Sequence, residues 1–401
     1  MFLLALCIFG WSFFGFFLGK RSAQKQKSKV AFKEPPLYSG YYVALWTALP
    51  ALALLGIKAL NLPIQLSFLD DGYSFLSSIF FNLFIFCFFL YAFTHLNAEF
   101  KARSYVEKWI KFCFFLTALL AILISLGIIL SLLFDALRFF EIVSLKDFFF
   151  NTQWSPQLAK KNPSYAFGIL PLFSGTLLIT GIALLVAVPL GLFSAIYLAE
   201  FARPSVRSFC KPFLEMLAGV PTVVYGFFAV IMIAPLLQKI GNFFKMDVSS
   251  ESALGVGLVM GIMLIPFISS LSDDVIRAVP KSLKEGALGL GATSAEAICQ
   301  IVLPTAFPGI VGAILLAFSR AIGETMIVVM AAGLSAHMTG NPLKSVTTIT
   351  VQIVNLLTGD QEFNSPQTLA AFALGLVLFL ITLGLNMIAL KVMRSFREKY
   401  D

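Results

Sequence analysis

The chain has 401 residues, of which 59% are hydrophobic and only 12% charged, with a formal net charge of +8. That charged fraction is about half of what soluble domains carry, and the mean hydropathy of +0.89 excludes an ordinary soluble globular protein. Apolar runs of roughly 18–28 residues indicate membrane-spanning helices rather than short alternating strands, and the positive balance fits cytoplasmic loops better than nucleic-acid binding.

Nine spans are predicted, at roughly 2–19, 41–61, 75–96, 110–135, 174–199, 212–237, 253–271, 309–333 and 367–392. In the opening "MFLLALCIFGWSFFGFFLGKRSAQKQKSK" the charges follow the apolar stretch. Residues 2–19 therefore read as a first membrane helix rather than a cleaved secretory signal. The first three spans are rich in Phe and show no polar chemistry. A boundary near residue 105 separates a three-span N-terminal extension, 1–105, from a six-span core, 106–401. Alternate loops hold 20 basic residues on one side and 8 on the other, with Arg320 inside a span. The positive-inside rule then puts the C-terminus in the cytoplasm and, with nine spans, the N-terminus outside.

Between the fourth and fifth spans, "RFFEIVSLKDFFFNTQWSPQLAKKNPSYAFGILPLFSG" mixes Phe and Trp154 with charges and prolines. It reads as an interface belt or lid, with a docking surface for an external partner as the alternative. In the sixth span, "LAGVPTVVYG" sets Pro221 between Gly219 and Gly226. Proline frees a backbone carbonyl that lipid-facing helices rarely tolerate, so this helix is expected to line the protein interior. Glu215, just past Lys211 near the cytoplasmic end of this span, either snorkels or serves transport.

The loop over 272–308 begins "SDDVIRAVPKSLKEGALGLGATSAEAICQIVLP". Asp273 and Asp274 are expected to be solvated. Pro280 and Ser282 can start a short helix that Gly289 and Gly291 end. Thr293 and Glu296 form a capping-box pattern for a second helix through Val302. Pro304 is expected to stop it and Pro308 to start the next span. That eighth span ends in "AFSRAIGETMIVVMAAG", with Arg320 and Glu324 one helical turn apart. A mid-bilayer arginine costs roughly 2.5–3.5 kcal/mol on insertion scales. Glu324 at i+4 can pair with it and offset part of that cost. Ala313, Ala317 and Gly323 leave room beside that face. The pair is either a structural ion pair or part of an anion path, since the guanidinium fork suits phosphate oxygens. Five scattered cysteines and two histidines, His95 and His337, form no metal-ligand spacing.

The run Glu285-Gly286-Ala287, then Gly291, then Ile301-Val302-Leu303-Pro304 resembles the Glu-Ala-Ala motif of permease subunits of ABC importers, with Gly286 replacing the usual Ala. The stretches "FGILPLFSGTLLITGIALLVAVPLGLFSAIYLAEFA", "FLEMLAGVPTVVYGFFAV" and "SRAIGETMIVVMAAG" resemble the permeases of phosphate-uptake (Pst) systems, the last one the PstC type more than the PstA type. The likeness covers about residues 140–400. It implies an all-α transmembrane bundle in a bacterial inner membrane. It also implies a substrate path through Arg320, Glu324, Ser319 and Thr325. Glu285 would be the charged contact to an ATPase subunit and Gly291 the hinge, with Gly286, Ala287, Ile301, Leu303 and Pro304 shaping that surface. Implied partners are an ATPase dimer, a second PstA-like permease, a periplasmic phosphate-binding protein and membrane lipid, with no nucleic acid. No G-x-x-x-x-G-K-[ST] occurs, so ATP and Mg belong to the ATPase. The chain itself is expected to hold no cofactor or metal and to be no enzyme. Competing readings are a permease for molybdate or sulfate, and a self-contained secondary transporter with Glu324 as proton carrier, which has no need of the coupling loop.

Overall fold

An apolar chain in a membrane must satisfy its backbone polar groups internally, and a helix does so within one segment. The computed structural model describes residues 2–27, 35–59, 74–96, 101–158, 166–358 and 365–397. Among these the regular structure is helical, with two isolated bridges, Trp154–Phe167 and Ser252–Ser345. Among the described residues six helices are long and apolar enough to cross a membrane: Ala102–Ile142, Leu170–Phe201, Thr222–Phe243, Ala253–Ala278, Ser294–Ile322 and Pro366–Arg394. They match the last six predicted spans. The first three predicted spans fall on helices α1 (Phe2–Lys27), α2 (Pro36–Ala59) and α3 (Ser74–Thr94), so a total of nine crossings is not established.

The chain forms two compact units, Met1–Leu126 and Gly127–Asp401. The division falls inside helix α4 (Ala102–Ile142), whereas the sequence reading puts it near residue 105. In the first unit α1 and α2 pack along each other. Trp11 donates its indole N–H to Asn82 at 3.0 Å, and the Thr47 hydroxyl donates to Ser12 at 3.3 Å. These are polar helix–helix links of the kind membrane bundles use, in spans read from the sequence as lacking polar chemistry.

The second unit continues with α5 (Leu145–Phe150), α6 (Leu170–Ile196), α7 (Pro204–Ala218), α8 (Thr222–Phe228) and α9 (Ala234–Phe243). Then come α10 (Ala253–Ala278), α11 (Lys281–Gly289), α12 (Ser294–Ala297) and α13 (Leu303–Ile322). It ends with α14 (Met326–Ala331), α15 (Ile349–Leu357) and α16 (Pro366–Arg397). Its core is the seam of α6, α10 and α13, where Ile179, Ala183, Val256, Met260, Leu264 and Ala317 are buried together. The segment before α6 is in part drawn into the core, while Leu145, Phe150 and Leu158 stay exposed. Trp154 and Phe167 are buried with Phe139 and Phe148 against Ile349 and Leu369.

Three predicted boundaries move. The sixth span, expected over 212–237, is two helices, α7 and α8, parted at Gly219–Pro221. The eighth, expected over 309–333, breaks at Gly323–Thr325. Pro304 does not stop its helix, and Pro308 lies inside α13. A π-turn over Ile298–Val302 joins α12 to α13. A proline ring collides with the carbonyl four residues back in a regular helix, and a π-turn shifts that carbonyl's register.

Candidate functional site

Glycine is the poorest helix former after proline, and α13 ends where one arrives. Gly323 is its C-cap, at φ −84° and ψ −3°. The chain then crosses Glu324 and Thr325 before α14 begins. Glu324 Oε1 accepts from the backbone N–H of Met326 at 3.0 Å and of Ile327 at 3.4 Å. A carboxylate there satisfies donors that the first turn of a helix leaves free. The Thr325 hydroxyl donates to the Gly323 carbonyl at 3.3 Å.

Arg320 is exposed in this chain. Its guanidinium carbon lies 5.7 Å from the centre of the Phe267 ring, near the middle of α10. Among the described residues no carboxylate forms a salt bridge with it. The expected Arg320–Glu324 pair is therefore absent. An i,i+4 pair needs a continuous helix, and this one ends between the two residues. Ser319 is buried and Thr325 half-buried.

The break is braced by residues the sequence reading missed. Thr350 Oγ1 donates to the Glu324 carbonyl at 3.0 Å. Thr348 Oγ1 lies 2.9 Å from Thr350 Oγ1 and accepts from the Val351 N–H at 3.4 Å. Trp154 Nε1 donates to Gln352 Oε1 at 3.0 Å, and Gln352 Nε2 donates to Thr347 Oγ1 at 3.2 Å. Thr347, Thr348, Thr350 and Gln352 are all buried. The only sequence signal was a run of threonines, which β-branching alone does not distinguish from packing.

A second group of residues sits where α10 runs into α11. Gly291 adopts φ +90°, a left-handed conformation that lets the chain turn sharply after α11. The Thr293–Glu296 capping box is formed. Glu285, Gly286, Gly291 and Pro304 are exposed, Ile301 and Leu303 half-buried, and Ala287 buried. Leu290 is 92% exposed, an apolar side chain presented on the turn itself. Lys284 donates to Glu200 in the π-turn that closes α6, which fixes α11 against that helix.

Asp273, expected to be solvated, is 3% exposed. Its carboxylate accepts from Arg207 at 2.9 Å and Lys211 at 2.9 Å, and Arg277 lies within 3.4 Å. The hydrogen bond to Asp273 holds the Lys211 ammonium above its ordinary pKa. Asp274 stays largely exposed and Glu215 is exposed. Pro221 stands in the break between α7 and α8 and is exposed on this chain. Among the described residues no group of three or more His, Cys, Asp or Glu could hold a metal ion.

Residues 187–397 match the family model of the binding-protein-dependent transport system inner membrane component. Residues 1–67 match a model described as phosphate ATP-binding cassette transporter. The probable ABC transporter permease protein YqgH of Bacillus subtilis is 32% identical over 66% of this chain and 84% of its own length. The phosphate transport system permease protein PstC of Haemophilus influenzae is 35% identical over 70% of this chain and 93% of its own. PstC of Mesorhizobium japonicum is 34% identical over 59% and 74%.

Proposed function

The chain belongs to the family of binding-protein-dependent transport system inner membrane components, and from that premise we propose how it passes its substrate. It is the permease subunit of a phosphate ABC importer, a membrane transport subunit that associates with an ATPase and a binding protein. Arg320 is the anion contact of its path. The observation that carries this reading is an exposed guanidinium, at the depth of the middle of α10, that faces an aromatic ring and no carboxylate. A charge in such a position is costly unless it serves a path or a partner. A lone arginine on a ring face holds an anion without a second cation to trap it, and conduction needs a site weak enough to leave. Ser319 and Thr325 flank the contact, and Glu324 shapes it through the backbone rather than by pairing.

Arg320 and Pro221 are exposed on one subunit, so a second, PstA-like permease would supply the facing wall of the pore. An ATPase dimer would dock on α11 and the turn after it, with Glu285 as the charged contact. ATP and Mg would be used there and not by this chain. A periplasmic binding protein would deliver the phosphate. The basic-residue asymmetry supports a C-terminus in the cytoplasm of a bacterial inner membrane and, with nine spans, an N-terminus outside. A reporter fused after Asp401 should then be cytoplasmic, and one inserted near Asn162 should be outside.

The deciding experiment is uptake of labelled phosphate by cells carrying Arg320→Gln, with sulfate and molybdate as competitors. Uptake should be lost while the complex still assembles with its ATPase. Normal uptake would remove Arg320 from the path, and strong competition by molybdate or sulfate would reassign the substrate.

A further inference from the structure

We propose that Thr350 is a positioning residue for the anion contact: its hydroxyl holds the Gly323–Thr325 break open and so keeps Glu324 from neutralising Arg320. The inference rests on the reading that Arg320 lies on the phosphate path.

The donor is anchored independently of the break. The N–H of Ile349 donates to Thr176 Oγ1 on α6 at 3.1 Å, and that hydroxyl in turn donates to the Leu172 carbonyl at 2.7 Å. Thr347 lies so close to α6 that a Cβ on Gly175 would fall 2.1 Å from its carbonyl oxygen. The start of α15 is therefore seated on α6 by backbone contact. Because the Thr350 hydroxyl has one proton and gives it to Glu324, the hydrogen between the two threonines must come from Thr348. The chain then runs one way: Val351 N–H to Thr348, Thr348 to Thr350, Thr350 to the Glu324 carbonyl. Both threonines are at most 5% exposed, so the bonds among Val351, Thr348 and Thr350 are shielded from water.

The acceptor is the group that would otherwise close the helix. In a continuous helix the Glu324 carbonyl would take the N–H four residues on. Arg320 and Glu324 would then face each other at i,i+4 and pair. With Thr350 holding the carbonyl, the carboxylate instead caps Met326 and Ile327, and the guanidinium is left to the substrate. Two backbone arrangements thus correspond to a neutralised and an anion-ready arginine, and Thr350 biases the second.

The test uses the complete transporter in proteoliposomes, reading phosphate uptake and binding-protein-stimulated ATP hydrolysis together. Thr350→Val keeps the shape and removes the donor. Its uptake should fall about tenfold, the worth of one buried hydrogen bond, with ATP hydrolysis and complex yield close to wild type. Thr350→Ser should restore uptake. Thr350→Val/Glu324→Gln should also recover uptake relative to Thr350→Val, because the neutralising charge is gone. Wild-type uptake in Thr350→Val, or a parallel fall in yield and hydrolysis, overturns the inference. So does failure of serine to rescue. Arg320→Gln run alongside separates the two levels: if it is dead and Thr350→Val is normal, the path stands and this inference falls. If Arg320→Gln transports normally, the path reading falls and takes this inference with it.

Discussion

The carboxylate of Glu324 accepts the backbone N–H of Met326 at 3.0 Å, and among the described residues Arg320 has no acidic partner. Glu324→Gln keeps an oxygen that accepts the same N–H, so the variant should assemble normally and lose less uptake than Arg320→Gln. Glu324→Ala removes the cap and should cost about 1 kcal/mol of stability. Thermal unfolding of the purified complex, compared with uptake for both variants, checks the order.

The absent ion pair also fixes what the double variant should do. Neutralising both members of a buried structural pair often restores function, because no orphan charge remains. Here there is no pair to relieve, and Arg320→Gln/Glu324→Gln should stay as inactive in uptake as Arg320→Gln. Recovery to near wild-type uptake would return the two residues to a structural role.

Asp273 joins α7 to α10 through Arg207 and Lys211, and its side chain is only 4% exposed. Asp273→Asn leaves the Arg207 guanidinium, itself mostly buried, without its counter-charge. Breaking a buried pair from one side costs about 3 kcal/mol or more, partly relieved here because Lys211 and Arg277 can reach water. A lowered unfolding midpoint is expected, and Arg277→Gln should cost much less because that side chain is about half exposed. Equal losses for the two would mean that the cluster is not organised around Arg207.

Gly291 at φ +90° sets the turn after α11. No neighbouring atom lies within 4 Å of a Cβ built there, so the cost of substitution is conformational rather than steric. Gly291→Ala should cost about 1 kcal/mol. Gly291→Pro cannot adopt the angle at all. The proline variant should reach the membrane and fail to couple, as should Glu285→Lys, which inverts the charge of the proposed ATPase contact. Wild-type, substrate-stimulated ATP hydrolysis in either variant would count against this docking surface.

Trp154 and Gln352 meet 198 positions apart in the sequence. Trp154→Phe keeps most of the apolar volume but leaves the Gln352 carbonyl oxygen without its buried donor, at a cost of about 1–3 kcal/mol. A drop in unfolding temperature is expected, with partial recovery in Trp154→Phe/Gln352→Leu, which removes both polar partners.

The sequence by itself determined the features that depend on neighbours a few residues away. Apolar runs long enough to span a bilayer gave the last six crossings as helices. Pro280, Gly291 and the Thr293–Glu296 box gave the helix–turn–helix of the loop after α10, because caps and left-handed turns are local chemistry. The likeness carried by Glu285 through Pro304 led to the family. Spacing alone also put Arg320 beside Glu324, and there it failed. Past the helix end at Gly323, the Glu324 carbonyl is taken by the Thr350 hydroxyl on α15, 26 residues on from Glu324. Asp273 was buried by cations on α7, 66 and 62 residues away. Trp154, in the segment before α6, was buried against Phe167 and bonded to a glutamine on α15. In each case a hydrogen bond or ion pair from a distant segment completed what the local pattern left open, and such partners cannot be read from spacing along the chain.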